Sequence, residues 1–323
     1  VMLISLLDRS RTRAGESDAA AVATTVERAV RADRLGFHRF WTAEHHAVPG
    51  VASAAPAVLL AAIGARTRRI RIGTGGIMLP NHRPLVVAEQ ALLLEALYPG
   101  RVDLGLGGSL GFTPPIRRAL GRTELGEGGY AADLDSVLAY LDGRAELTVR
   151  PRVPAPPVYL LAIADGLRLA AERGLPAVAG GPLLDDAAAL AAYARDFRPV
   201  RADASPTLVV SVEVVVADTT ERARELLLPE AWAFADSRDV GEFRPLRPVE
   251  EVRRLLAGAR PKKVEAVQGW MRTAVAGTPE QVRARLEELV ERTGASEVLA
   301  SVSAVGRADV ARTDEVLASL RTG

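Results

Sequence analysis

The sequence predicts an α/β fold, a (β/α)8 TIM barrel with an insertion before its last helix–strand unit. Strand-like and helix-like segments alternate almost from end to end, in eight pairs. The strands are mostly continuous apolar runs, the pattern of a parallel sheet covered on both faces. No glycine fingerprint follows the first strand, where "LLDRSRTRAG" stands, and a doubly wound dinucleotide fold would more often carry one there. Eight units in 323 residues match a barrel of roughly 250 residues plus insertions.

The first strand is "MLISLL". Its helix, "DAAAVATTVERAVRADRLG", has Val22, Val26, Val30 and Leu35 on one face and ends at Gly36. "HRFWTAEH" and "APAVLLAAIGART" form the second unit, and "RIRIGTGGIML" and "PLVVAEQALLLEALYPG" the third. "RVDLGLGG" is the fourth strand, followed by a looser region and the helix "AADLDSVLAYLDG". "PVYLLAI" and "PAVAGG" are strands five and six, each with a helix behind it. "TLVVSVEVVVAD" is the longest β-branched run and precedes "TTERARELLLPEAW". From about residue 235 to 275 the rhythm breaks at Pro245, Pro248 and Pro261. Thr278, Pro279 and Gln281 then open a helix with a capping box. "SEVLASVS" and "DVARTDEVLASL" close the chain.

A hydrophobic content of 48% supports one large core or two ordinary ones. The net charge of +1 gives no global field for nucleic acid or an anionic membrane. No run of about 18 apolar residues suggests a membrane span. "VMLISLLD" is short and lacks the basic flank of a signal peptide. The absence of cysteine removes disulfides, iron–sulfur clusters, thiolate zinc and cysteine nucleophiles. The expectation is a cytoplasmic protein of one domain, residues 1–323, with 235–275 as an insertion or lid within it.

"FWTAEHHAVPG" holds two of the four histidines, behind a glutamate, where the second strand ends. In a barrel the C-terminal strand ends carry the chemistry. Adjacent strand residues face opposite ways, so Glu44, His45 and His46 converge on one ion only if the backbone turns sharply. There is no HExxH spacing, and His82 or distant carboxylates would have to join, so no metal is expected. Two readings remain at this point: imidazoles satisfying loop backbone groups, or one catalytic histidine exchanging a proton near neutral pH.

The words "LGFHRFWTAEHH", "TRRIRIGTGGIMLPNHRPLVVAEQ", "LEALYPGRVDLGLG" and "AGTPEQVRARLEEL" occur in this order. Together they resemble the luciferase-like flavin monooxygenases. The opening "ISLLDRS" resembles the single-chain group that includes monooxygenases of antibiotic and aromatic polyketide clusters. The resemblance implies a barrel that binds reduced FMN (FMNH2) at its C-terminal mouth. There the flavin reacts with O2 to a C4a-peroxyflavin that oxygenates an organic substrate, such as an aromatic polyketide intermediate. A separate flavin reductase would supply the FMNH2, since this chain has no second nucleotide-binding domain. His45 is then the catalytic histidine, with Glu44 and His46 as orienting or structural neighbours. Gly75 and Gly76 are implied against the isoalloxazine ring, at a non-proline cis peptide in the luciferases, with Met78 and Asn81 as further ring-side contacts. His82 and Arg83 read as loop residues.

Two departures concern the phosphate. Relatives commonly carry an arginine after the fourth strand, where Gly107 is followed here by Gly108. Relatives also have a hydroxyl-rich loop after strand five, where Ile163, Ala164 and Asp165 stand here. Asp165 adds negative charge at a helix start that would otherwise attract phosphate. Arg118 and Arg122, with Arg117, are the candidates to compensate, because guanidinium suits phosphate. Two alternatives remain: a deazaflavin (F420)-dependent oxidoreductase on the same barrel, and a non-catalytic flavin-binding relative. The helices "APAVLLAAIGA" and "PLVVAEQALLLEAL" are apolar on more than one face, which predicts a homodimer through them.

Overall fold

A computed structural model describes residues 2–125, 129–163 and 165–320. Its barrel strands are β1 (Leu3–Asp8), β2 (Arg39–Thr42), β3 (Arg71–Thr74) with β4 (Ile77–Met78), β5 (Val102–Gly107), β6 (Val158–Ala162), β7 (Ala177–Gly180), β8 (Leu208–Val216) and β10 (Glu297–Ser301). All neighbours pair in parallel, and β10 pairs with both β1 and β8, so the sheet closes on itself. The short β9 (Val275–Gly277) pairs with the outer end of β8. This is an eight-stranded (β/α)8 barrel.

The third strand departs from the expected single run. It breaks at Gly75–Gly76, whose peptide bond is cis. β3 pairs with β5 near Val102, and β4 resumes against Leu106 and Gly107. The space is tight: a Cβ on Gly76 would lie 2.9 Å from the carbonyl oxygen of Gly105.

The helices α1 (Asp18–Leu35), α2 (Pro56–Arg66), α3 (Pro84–Leu97), α4 (Pro114–Ala119), α5 (Gly129–Leu141), α6 (Gly166–Glu172) and α7 (Ala187–Arg195) surround the first seven strands. Local chemistry sets their ends. Ser17 caps α1, and Gly36 ends it in the left-handed region at φ 77°. The Thr278–Gln281 capping box opens α11 (Pro279–Thr293). Helix α12 (Arg307–Ser319) follows β10.

A polar layer lies beneath an apolar one inside the barrel. At the N-terminal end Arg39 bonds Asp103 and Glu297, Arg71 also bonds Asp103, and the Arg39 guanidinium stacks 4.9 Å from the Tyr159 ring. Above them pack Trp41, Tyr159, Val178, Val209 and Leu299. This closes the bottom and leaves the mouth as the place for a ligand.

Helix α8 (Thr220–Val240) runs through Pro229 and ends at the left-handed Gly241. The break in rhythm therefore begins later than residue 235, because Ala235 is still a buried helical residue of α8. Helices α9 (Val249–Ala257) and α10 (Pro261–Thr273) complete the insertion. Leu228, Trp232, Val252 and Val267 give the three helices a small core of their own. Between α8 and α9 the chain crosses the loops after β1 and β2: Gly50 donates to the Phe243 carbonyl at 2.6 Å, and Leu246 to that of Thr12 at 2.9 Å. No helix among the described residues is long and apolar enough to cross a membrane.

Candidate active site

β2 stops at Thr42, short of the expected His45. The Ala43 N–H still reaches Asp8 on β1, but the His45 N–H turns to the Ser53 carbonyl at 2.8 Å, and Ala47 takes φ 49°. Strand alternation therefore does not separate the two histidines; a turn does.

Glu44 is the hub. Its carboxylate is buried, and Oε1 accepts from His46 Nε2 at 2.6 Å and from His82 Nε2 at 2.8 Å. Oε2 accepts from the Met78 N–H at 3.1 Å. Burial alone would raise its pKa, but the bonds from His46 and His82 outweigh that and hold it below the usual carboxylate value. His82 thus belongs to the cluster, although the sequence read it as a loop residue. These ligand-type atoms lie within 4.8 Å of one another, near enough for one ion. Both imidazoles already bond the Glu44 carboxylate, so the arrangement acts as a clamp joining the loop after β2 to the turn after β4.

His45 stands apart from the clamp. Its Nδ1 is buried with no partner. Burial, reinforced by the positive charges of Arg9 and Arg11, pushes its pKa down to about 4. The imidazole is neutral at pH 7, and its Nδ1 is not engaged by another group.

A charged cluster that the sequence reading missed lies beside it. Arg9 bonds Glu213 at 3.1 Å, Glu230 at 2.9 Å and Ser303 at 2.7 Å, and Arg11 bonds Glu230 at 2.9 Å. Burial, with the Glu230 charge adding to it against Arg9, pushes Glu213 up to about 6, and its Oε1 has no partner. For Glu230 the two arginines outweigh burial and lower the pKa. The signal was present: Ser211 and Glu213 interrupt an apolar run two residues apart, hence on one face, toward the mouth end of a barrel strand. Arg9, Ser211, Glu213, Trp270 and Ser301 line a mouth cavity of about 760 Å³, with Trp270 contributed by α10.

The cofactor residues separate into two groups. Near the clamp, Met78 is bonded through its backbone to Glu44, and Asn81 has both side-chain polar atoms buried without partners. At the other end, a Cβ on Gly107 would make ordinary contacts with the Ile77 carbonyl oxygen at 3.8 Å and Leu161 at 3.9 Å, but a Cβ on Gly108 would meet the Tyr130 ring at 3.0 Å. Tyr130 is fixed by its hydroxyl, which donates to the Leu106 carbonyl at 3.1 Å. Arg122 bonds Asp133 at 3.2 Å, and Arg118 is exposed. Asp165 is 87% exposed and lies 3.7 Å from Arg168, so its charge is turned to solvent. Ala164 lies outside the described residues. The unpartnered Asn81 amide and His45 Nδ1 fit a polar ring such as a flavin. At the phosphate end the candidate arginines are Arg118, exposed, and Arg122, already bonded to Asp133.

A closed parallel barrel carries a neutral histidine and a carboxylate clamp at its C-terminal mouth, the place where such barrels hold their active sites. Comparison with known proteins identifies the family: a sequence model described as luciferase-like monooxygenase matches residues 2–297, and the chain belongs to that family. It is 35% identical to the uncharacterized protein YvbT of Bacillus subtilis (strain 168), over 98% of this chain and 96% of that one. It is 33% identical to a luciferase-like monooxygenase of Escherichia coli (strain K12), over 91% and 90%. The crystal structure of apo-MsnO8 shares 30% identity at a TM-score of 0.89, covering 99% of this chain and 98% of that one. The protein is an enzyme, an oxidoreductase of the monooxygenase kind.

Proposed function

We propose that the protein uses reduced FMN, delivered by a separate flavin reductase, to place one atom of O2 in an organic substrate. The observation that carries this reading is His45, half-buried and neutral, with its Nδ1 buried and without a hydrogen-bond partner. When bound, reduced FMN supplies the electrons that activate O2 at its C4a carbon. Gly75, Gly76, Met78 and Asn81 would hold its ring, and Arg118 and Arg122 its phosphate. His45 takes a proton at Nδ1 during oxygen transfer, and the Glu44 clamp holds the backbone on either side of it. Closed barrel walls and the roof of α10 keep water from the site.

The mouth cavity receives the substrate, and Trp270 on its roof suits a flat aromatic molecule such as a polyketide intermediate. The whole chain works as one domain, with residues 241–275 as its lid. In this reading it works in the cytoplasm as a homodimer. Hydride transfer with a deazaflavin, which the same barrel can carry, is the second reading. Anaerobic titration with photoreduced FMN, followed by O2, tests the choice. Saturable binding and O2-dependent reoxidation support the monooxygenase; no binding of reduced FMN contradicts it.

A further inference from the structure

A second cavity, of about 390 Å³, lies between the loop after β1, helix α1 and the chain after β10. Ligand pockets run from roughly 300 to 1,000 Å³, so its size suits a small molecule. Arg9, Arg11, Arg13, Arg28, Arg31 and Arg307 all line it. Five of these are bonded to carboxylates: Arg9 to Glu213 and Glu230, Arg11 to Glu230, Arg28 to Asp8 and Asp314, Arg31 to Asp314, and Arg307 to Glu16. That is one carboxylate for each of the five cations. Glu27, also on the wall, is held by Arg66.

Arg13 is different. Its guanidinium bonds only backbone carbonyls: Nε to Val305 at 2.6 Å, Nη1 to Arg11 at 3.2 Å and Nη2 to Ala304 at 3.2 Å. A guanidinium has five N–H donors, so two remain. The residue is 9% exposed, and burial lowers its pKa, as expected of a cation without a bonded counter-charge. Arg31, on the same wall, bonds Asp314 through Nη2 and is the most exposed of the cations beside it on α1 and the β1 loop. Ala20, Val302 and Val310 form an apolar stretch of the wall, beside the hydroxyls of Thr24, Thr25 and Ser303.

We propose that this cavity binds an oxyanion, a phosphate or carboxylate carried on a short apolar body, through Arg13 and Arg31. The anion supplies the missing negative charge and accepts the remaining N–H donors, and such charge-assisted bonds are the strong ones. The apolar stretch of the wall covers the body of the molecule. Leu7 and Arg9 line this cavity and the mouth cavity alike, so the bound anion sits one side chain away from the mouth. The site is independent of the flavin.

Calorimetry on the flavin-free protein tests it, with inorganic phosphate, hexanoate and hexylamine as probes. At least one anion should bind saturably at one site, and hexylamine should not. Tighter hexanoate marks a carboxylate ligand, and tighter phosphate a phosphate ester. Arg13→Gln and Arg31→Gln should each weaken anion binding tenfold or more while photoreduced FMN still binds. Should Arg13→Gln fail to fold, the more exposed Arg31→Gln carries the test. The proposal is overturned if neither anion saturates, or if folded Arg31→Gln binds them as the wild type does. It is also overturned if Arg122→Gln, and not Arg31→Gln, abolishes binding, since the anion would then sit at the flavin's phosphate end.

Discussion

Glu44 and His82 are joined across 38 residues of sequence, Oε1 accepting from Nε2 at 2.8 Å. The same oxygen accepts from His46, so one buried carboxylate holds two imidazoles and fixes the loop on which His45 stands. The two adjacent histidines differ in their partners, since His46 is held and His45 is free at Nδ1, and this difference supports the role proposed for His45.

Glu44→Gln keeps the shape but removes the charge that both imidazoles bond. Bonds to charged groups contribute about 1.5–3 kcal/mol, so a loss of that order is expected at pH 7. The folded pKa of Glu44 is depressed, so its contribution is present above the unfolded value of 4.5 and is lost as pH falls through the lower folded value. Urea unfolding at pH 7 and pH 3 measures both effects, and the gap between wild type and variant should narrow at the lower pH. Equal stability at pH 7 contradicts the clamp.

His45 predicts a pH effect of its own. Folded His45 titrates near 4 and unfolded histidine near 6.5, so between these values the unfolded chain binds more protons. Stability should fall as pH drops through that window, by on the order of 3 kcal/mol. Melting curves of His45→Asn should lack this part of the slope. An unchanged slope would mean that His45 is charged or solvated in the fold.

The barrel was legible because its signals are local: apolar runs, caps such as Thr278 with Gln281, and glycine stops such as Gly36. The end of β2 was not, because the Ser53 carbonyl that captures the His45 N–H lies beyond the strand pattern. Nor was the pairing of Arg9 with Glu213, whose residues are 204 positions apart, although the Ser211–Glu213 spacing hinted at a polar inner face. Tyr130 over Gly108 is likewise a tertiary fact, carried in the first turn of α5, which begins two residues before the helix expected from "AADLDSVLAYLDG".

That ring changes what a restored arginine should do. Gly108→Arg alone must displace Tyr130 and should not tighten reduced FMN. Combined with Tyr130→Ala it should tighten binding by about tenfold to a hundredfold, the worth of one charged contact. Anaerobic fluorescence titration reads this. No gain in the folded double variant would place the phosphate elsewhere.

Val58 on α2 and Leu93 and Leu97 on α3 are 72%, 54% and 54% exposed. Apolar side chains so exposed on adjacent helices fit a buried dimer face. Val58→Glu with Leu93→Glu should convert a dimer to a folded monomer in light scattering. A wild-type monomer at micromolar concentration contradicts this.

The most direct test compares product formation by wild type, His45→Ala and His46→Ala at saturating reduced FMN and O2, with the reduced-FMN affinity of each measured anaerobically. A general acid–base group contributes about 10²–10⁴-fold. His45→Ala should lose turnover by that factor and keep its flavin affinity, whereas any loss in His46→Ala should come with lower stability. Turnover of His45→Ala within a few-fold of wild type, or equal and purely kinetic losses in both variants, would contradict the account.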